Sequence, residues 1–381
     1  MTDQRPVVVL SPERWRAVPT NKHQVARGIS AVRPVLYVDL VGVSTRDLWR
    51  ERWWLVPRMV QPNLWVIRPL VFPKRVRVRS RLALVASAVL SNWHVRWALR
   101  TKLRWLTPAL ICYFPTVIHG LERLRPGAVI YHCVDHHSSF PDWAPRAGDL
   151  LAAEAKLVRR ADAVLATSPQ LAVHCRQWRE DVRMVGNPAD VDAFAVPPKP
   201  CATLRDGLSV FFHGTYSAHK IDFAFLRRLT DCALVRSVTL VGPLGHPSDR
   251  LATAALGELE ADPKVVRIGS TPQADISALL GDVDVLALPY LVSEHTRHVL
   301  PLKLGEYLAT GMPIVSTPLP AVVEVAGDAV YYCSADAEIV AALRAACSES
   351  PALRQRRIAL AQERTWEKRV RELLDVIDAV G

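Results

Sequence analysis

The sequence lacks long apolar runs, paired cysteine motifs and a dinucleotide fingerprint, and each absence removes a class of protein. No run of 18 uncharged apolar residues occurs and the N-terminus has no apolar signal segment, so we expect neither a membrane span nor secretion, and a cytoplasmic location. The seven cysteines are scattered without CxxC spacing, which predicts reduced core thiols and no zinc or other metal site. No GxGxxG follows the first predicted strand, which argues against a nicotinamide or flavin cofactor.

Acidic residues are scarce in one segment, residues 44–107. It holds 14 Lys plus Arg against only Asp47 and Glu51, a balance of +12, whereas the rest of the chain is about neutral with 34 basic and 35 acidic residues. The same segment holds seven of the eleven tryptophans. The excess charge and the aromatic residues therefore share one location, which indicates a specialised surface.

A helix predicted over residues 93–106 divides the side chains of this segment between two faces. Its apolar stripe consists of Val95, Leu99, Leu103 and Leu106, and its other side carries Trp93, Trp97, Trp105, Arg96, Arg100 and Arg104. Outward Trp and Arg suit the headgroup region of an anionic membrane, which favours contact with a membrane surface or a lipid-linked molecule. A nucleic acid and a plain solvated basic surface are the alternatives.

Apolar strand-like runs alternate with helical stretches along most of the chain, which predicts an α/β fold with doubly wound parallel sheets. A length of 381 residues suits two domains, and the Pro-rich segment 196–200 is typical of a stiff linker between them. We predict an N-terminal domain over 1–196 with the basic, Trp-rich insertion at 44–107. A second domain over 201–350 and a helical tail over 351–381 follow.

The most informative stretch is residues 283–317, which reads as a strand, a loop, a helix and a second strand. Pro301 suits the first helical position and Gly311 the C-terminal stop. Lys303 and Glu306, three apart, share a face of this helix, and spacing alone also fits a solvated ion pair. An ammonium near a helix N-terminus with a carboxylate one turn on matches a diphosphate followed by a ribose diol.

Further polar residues follow predicted strands or occupy the preceding loop. Gly214 and Thr215 follow an apolar run, so their backbone can approach a phosphate. Tyr290 lies just past a strand end and fits a nucleotide contact or a core-edge position. Arg297 and His298, in the loop before Pro301, could reach phosphate or face solvent.

Two residues of the first domain are candidates for acid–base chemistry. Asp135 follows the predicted strand Val129–Val134, so it is a candidate general base, with a turn cap as the alternative. His23 begins the first helix and would assist the base or bind acceptor phosphate, or else only cap that helix.

The chain resembles glycosyltransferases of the GT-B architecture. The similarity lies in residues 283–317, in His213-Gly214-Thr215-Tyr216 and in the strands of the first domain. Its N-terminal residues 19–24 and 35–39 are similar to a subgroup of teichuronic acid enzymes. More distantly, Tyr131–Asp135 with Tyr290 and Lys303 is similar to xanthan glucuronosyltransferases.

This resemblance implies two Rossmann-like domains facing a cleft, with the C-terminal helix crossing back to the first. It implies transfer of a sugar from a nucleotide donor, preferably a UDP-sugar, with Asp135 as base and no metal or other cofactor. His298 stands eight positions before Glu306, where many retaining members carry a glutamate, so inversion is favoured. A sugar-nucleotide epimerase or hydrolase, and a non-catalytic membrane- or nucleic-acid-binding scaffold, are the alternatives.

Overall fold

Two compact units divide the chain in the computed structural model, which describes residues 5–15, 20–43, 48–197, 204–246 and 248–380. Unit 1 comprises Met1–Gly186 and Trp366–Gly381, and unit 2 comprises Asn187–Thr365. Each unit is built on its own mostly parallel sheet with helices on both faces.

Unit 1 contains an eight-stranded sheet with the order β3-β4-β2-β1-β5-β6-β7-β8. Its strands are β1 (Val7–Ser11), β2 (Val35–Asp39), β3 (Arg58–Gln61), β4 (Leu64–Ile67), β5 (Ala109–Cys112), β6 (Ala128–Cys133), β7 (Ala163–Ala166) and β8 (Val182–Met184). Its helices are α1 (Asn21–Ser30), α2 (Leu48–Glu51), α3 (Lys74–Arg79), α4 (Arg81–Ala98), α5 (Ala147–Arg160), α6 (Pro169–Arg176) and α14 (Trp366–Val380). All of its strand pairs are parallel except the β3–β4 hairpin.

The central strands of unit 1 are apolar on both faces because each face meets a separate core. Along β1, Val8 and Leu10 enter one core while Val7 and Val9 enter the other, and all four are fully buried. Such a strand shows no polar alternation, as expected for a parallel strand covered by helices on both sides. The polar residues that close the strands are thereby confined to the sheet edge.

The basic segment, which we predicted as an insertion, contributes two strands to the sheet. β4 pairs in parallel with β2 and extends the sheet, and β3 turns back on β4 through Asn63, whose φ is +59°. The predicted helix over 93–106 is wrong in its bounds, because α4 begins after the N-cap Ser80 and its continuation ends at the left-handed residue Arg104. Residues 44–47 lie outside the described part of the chain.

The last helix, α14, belongs to unit 1, where it packs on α1. Leu373, Val376 and Ile377 are buried in the core beneath α1. At Gly28 of α1 the approach is close enough that a Cβ atom would lie 2.3 Å from a methyl carbon of Val370. Glycine is therefore required where the two helices touch.

Unit 2 contains a six-stranded sheet with the order β11-β10-β9-β12-β13-β14, in which every pair is parallel. Its strands are β9 (Leu208–His213), β10 (Val235–Val241), β11 (Val265–Ile268), β12 (Val285–Leu288), β13 (Ile314–Ser316) and β14 (Tyr331–Tyr332). Its helices are α7 (Phe223–Asp231), α8 (Arg250–Glu260), α9 (Gln273–Ile276), α10 (Leu302–Thr310), α11 (Pro320–Ala326), α12 (Asp336–Cys347) and α13 (Pro351–Gln362).

The units divide at different points from the predicted domains 1–196, 201–350 and 351–381. Unit 2 begins at Asn187, because Phe194 is fully buried in a core of unit 2. It also keeps α13, whose Arg357 is fully buried and forms a bidentate ion pair with Glu349 at 2.6 and 2.7 Å. The chain returns to unit 1 only at Trp366, and residues 198–200 of the predicted linker lie outside the described residues.

Candidate active site

Polar side chains of unit 2 gather at the carboxyl ends of its strands. β9 ends at His213, β12 ends one residue before Pro289, and the helix α10 begins at Leu302 after Pro301. Gly311 closes α10 with a φ of +69°, as the sequence predicts for its stop. This arrangement brings the first turns of α10 beside the end of β9.

Glu306 is the centre of this group and is 6% exposed. Its Oε2 accepts from His213 Nε2 at 2.9 Å and lies 3.1 Å from the ammonium of Lys303, and its Oε1 accepts from Gln273 Nε2 at 3.2 Å. Lys303 and Glu306 thus pair on one helix face, as predicted, but the carboxylate is buried rather than solvated. An ion pair in this setting is held in one geometry by its neighbours.

The protonation states at this edge follow from burial and from Lys303. Burial alone would raise the pKa of Glu306, but Lys303 and His213 outweigh it and lower the pKa to about 2. Burial and the Lys303 ammonium lower the pKa of His213. His213 is therefore neutral, donates from Nε2 to Glu306, and has no hydrogen-bond partner at the buried Nδ1 among the described residues.

The loop after β9 approaches the end of β10 closely. The backbone N–H of Gly214 donates to Val241 O at 2.9 Å, so it is already used within the fold, while Thr215 is exposed beside it. Gly242 has a φ of +121°, and a Cβ atom there would lie 2.0 Å from Gly214 O. The predicted phosphate contact of Gly214 is thus limited by its own backbone bond, and Thr215 is the more accessible of the two.

The other predicted nucleotide ligands are more dispersed. Tyr290 is half-buried against a core of unit 2 and pairs by its backbone with Ile221, and burial raises its pKa. Arg297 is exposed in a short helical turn, and His298 donates from Nδ1 to Glu294 O at 3.0 Å. A cavity of about 490 Å³ in unit 2 lies at the opposite, amino end of the sheet, where Asp284 and Pro313 line it, and contains none of these residues.

In unit 1, Asp135 lies two residues beyond β6, at the carboxyl edge of the sheet. Its side chain is 27% exposed, and Oδ2 is 3.2 Å from the Lys22 ammonium. Lys22 in turn lies 2.6 Å from Glu13 Oε1, on the loop after β1. The predicted base is therefore accessible and belongs to a charged group that the sequence did not reveal.

His23 occupies the position that the capping interpretation predicts. Its Nδ1 accepts the Thr20 backbone N–H at 2.9 Å, and its Nε2 then donates to Arg14 O at 3.1 Å. The residue is 1% exposed, and its ring stacks on Tyr37. Both nitrogens are occupied in the core, so the geometry favours the structural role over contact with an acceptor.

One buried cluster in unit 1 has the composition of a metal site. Ligand atoms of Cys133, Glu154 and Cys175 lie within 4.8 Å of one another. The two oxygens of Glu154 already accept hydrogen bonds, one from Tyr131 at 2.5 Å and the other from His174 at 3.0 Å. The carboxylate is thus satisfied by protein donors, and the geometry supports a core polar network rather than a metal centre.

The second half of the chain matches a known protein family. Residues 209–349, which contain the Glu306 group, match the family model described as glycosyl transferases group 1. This stretch is a group 1 glycosyltransferase domain. The chain is also 28% identical over 179 residues to the teichuronic acid biosynthesis glycosyltransferase TuaH of Bacillus subtilis (strain 168). That match covers 44% of this chain and spans only 43% of the relative's length.

Solved structures share the fold of the whole chain, including the glycosyltransferase domain. The sucrose-phosphate synthase of Thermosynechococcus elongatus aligns with a TM-score of 0.72 and 14% identity, over 97% of each chain. HepE of Anabaena, solved with UDP and glucose, aligns with a TM-score of 0.68 and 14% identity, over 98% of this chain and 100% of its own. These similarities confirm the predicted GT-B fold class.

Sequence reasoning missed four residues of the two polar groups. His213 and Gln273 both bond Glu306, and Lys22 and Glu13 both belong to the Asp135 group. His213 carried a usable signal, because it is the polar residue that ends an apolar strand. Gln273 carried none, since it lies 33 residues from its partner on the short helix α9.

Proposed function

We propose that the protein is a metal-independent glycosyltransferase that moves a sugar from a nucleotide diphosphate donor, preferably a UDP-sugar, to an acceptor hydroxyl. The observation that carries this proposal is the buried Glu306 carboxylate held by His213, Lys303 and Gln273 inside the group 1 glycosyltransferase domain. UDP is preferred because HepE and the trehalose-6-phosphate enzyme of E. coli were solved with UDP or a UDP-sugar analogue.

In this proposal unit 2 holds the donor. Glu306 accepts a hydrogen bond from the ribose, and the ammonium of Lys303, 23% exposed near the N-terminus of α10, faces the diphosphate. Lys303 and the Thr215 loop stabilise the negative charge that develops on the leaving diphosphate. This charge stabilisation replaces that of a divalent cation, so no metal is required.

Unit 1 supplies the base. When the acceptor oxygen forms its bond to the anomeric carbon and the bond to the diphosphate breaks, the acceptor proton passes to Asp135. A direct displacement of this kind inverts the configuration. Inversion is also favoured by His298, which stands eight positions before Glu306, where many retaining members of this architecture carry a glutamate.

We further propose that the acceptor is held at an anionic membrane surface, on the inner face, through the basic segment. Trp49, Trp93 and Trp97 are 82%, 63% and 42% exposed, and Leu82 and Leu90 on α4 are 82% and 50% exposed. Within the described residues, no helix is long and apolar enough to cross a bilayer. An exposed Trp and Leu face beside exposed Arg100 and Arg104 suits peripheral contact with headgroups.

The exposed face differs from the one predicted. Trp105 is half-buried and packs edge-on to Trp65, with ring centroids 5.6 Å apart, while Leu106 of the predicted apolar stripe is 64% exposed. Arg96 donates to Leu106 O and so supports the fold. The surface proposed for the membrane therefore lies on α4 and its continuation and consists of Leu82, Leu90, Trp93, Trp97, Arg100 and Arg104, and Trp49 is a further exposed tryptophan of the basic segment.

Transfer from labelled UDP-sugars to a membrane lipid extract tests the function. Asp135→Asn should retain the fold and UDP affinity but lower turnover by roughly 10²–10⁴. Asp181→Asn, an exposed aspartate of the same unit, is the control and should behave as wild type. Near-normal turnover of Asp135→Asn would reject the base. Donor conversion that needs no acceptor would indicate an epimerase or hydrolase instead.

A further inference from the structure

A buried ammonium between two carboxylates lies at the carboxyl edge of the unit 1 sheet. Lys22 is 4% exposed, and its Nζ lies 2.6 Å from Glu13 Oε1 and 3.2 Å from Asp135 Oδ2. The two carboxylate side chains are 31% and 27% exposed, so both reach solvent while the lysine does not. The group carries two negative charges and one positive charge.

Three separate elements assemble this group. Lys22 is the second residue of α1, Glu13 lies on the loop after β1, and Asp135 follows β6. Glu13 is fixed further because it accepts a hydrogen bond from the hydroxyl of Thr20. The ring of Tyr113, at the end of β5, lies 5.9 Å from the Lys22 ammonium.

The charges at this edge favour the ionised forms. Burial alone would lower the pKa of Lys22, but Asp135 and Glu13 outweigh it and raise that pKa. Burial alone would raise the pKa of Glu13, but Lys22 lowers it. Burial lowers the pKa values of two nearby histidines, His132 and His137, and the positive charge of Lys22 lowers them further. Both histidines are therefore neutral near pH 7.

We propose that Lys22 is a positioning residue for the transfer reaction, which holds Asp135 ionised and oriented as the base while Glu13 anchors Lys22. The inference rests on the proposed function. An ammonium with three donors can bond both carboxylates at once, and its burial keeps it from exchanging them for water. Lys22 itself passes no proton and touches no reacting atom.

The charge of Lys22 is the physical basis of this role. Without it, the two carboxylates would lose the ammonium that bridges them, and their repulsion would raise the pKa of one of them. A protonated Asp135 cannot accept the acceptor proton. Restoring the original net charge by neutralising Glu13 should therefore restore the base.

The test compares Lys22→Met with the double variant Glu13→Gln/Lys22→Met. In Lys22→Met we expect the acid limb of the kcat/KM profile to move up by about one pH unit or more, which lowers the rate at a fixed pH on that limb by roughly tenfold. The double variant should return the limb towards that of wild type, and Lys22→Arg should retain most of the rate. Lys156→Met, an exposed lysine on α5, is the control.

A lost fold is detected separately by thermal unfolding at pH 5 and pH 8. Repulsion between the two carboxylates should make Lys22→Met lose more stability at pH 8 than at pH 5, and the double variant should remove this difference. An equal loss at both pH values, with an unmoved pH profile, would overturn the inference and leave a structural lysine. Absence of transfer by the wild type, by contrast, would reject the proposed function itself.

Discussion

Replacement of Glu306 tests the donor site most directly. The carboxylate has about four acceptor positions, and three are taken by His213, Lys303 and Gln273. One position remains for a ribose hydroxyl. Glu306→Ala should therefore remove one hydrogen bond to a charged acceptor.

Such a bond contributes about 1.5–3 kcal/mol, which corresponds to a roughly 10- to 150-fold weaker Kd. Glu306→Ala has a second effect, because it frees the Lys303 ammonium to interact more strongly with phosphate. The total change in UDP affinity therefore mixes a loss with a gain. A ligand that lacks the ribose hydroxyls separates the two.

The assay is calorimetric titration of wild type and Glu306→Ala with UDP and with 2′,3′-dideoxy-UDP. Wild type should bind UDP roughly 10- to 150-fold more tightly than the dideoxy compound, whereas the variant should show nearly equal affinities. Glu258→Ala, an exposed glutamate on α8 of the same unit, should retain the wild-type ratio.

An unchanged ratio in the folded variant would refute the ribose assignment. If the ratio is unchanged because both affinities fall equally, Glu306 only maintains the local structure. The melting temperature of each variant without ligand identifies loss of fold. GDP and dTDP, tested in the same way, report whether the nucleobase contributes to the choice of nucleotide.

Two further predictions concern the membrane face and the phosphate-side loop. Trp93→Ala/Trp97→Ala should weaken flotation with anionic vesicles and leave UDP affinity intact. The control Leu151→Ala, at a residue that is 39% exposed on α5, should leave flotation unchanged. If the wild-type protein binds RNA with a steep salt dependence and does not bind vesicles, the partner of this surface is a polyanion and not a membrane. Gly242→Ala should destabilise the protein by roughly 2–4 kcal/mol in chemical denaturation, because its φ is +121° and its Cβ would clash with a carbonyl. Gly257→Ala, in the middle of α8 with open space around it, should be neutral or stabilising, and similar effects at both glycines would contradict this reasoning.

The fold was predictable where buried parallel strands alternate with helices. Such strands read as continuous apolar runs, and Pro301 and Gly311 marked the bounds of α10 to within a residue. The β3–β4 hairpin was missed because both strands have only four residues and β3 is largely exposed, so β4 alone forms a short buried run.

Of the candidate site residues, the pair on helix α10 was predictable from the sequence, but the contacts between residues far apart in the chain were not. Lys303 and Glu306 are three residues apart, so helical periodicity alone brings them together. Lys22 and Asp135 are 113 residues apart, and their contact depends on the strand order of unit 1. For His23, sequence could not decide between a ligand and a cap, because the decision depends on the Thr20 N–H and the burial of the ring.

The two polar groups differ in net charge, and this difference supports the proposed division of roles. At the edge of unit 2, the Glu306 carboxylate is balanced by Lys303 while His213 is neutral, so an added diphosphate meets no net negative charge. At the edge of unit 1, Glu13 and Asp135 exceed the charge of Lys22 by one, which disfavours a bound diphosphate but suits the removal of a proton. If unit 1 held the donor, the nucleotide would lie beside the two carboxylates Glu13 and Asp135. If unit 2 supplied the base, that base would have to be Glu306, which is already paired with Lys303. Electrostatics alone therefore favours the donor in unit 2 and the base in unit 1.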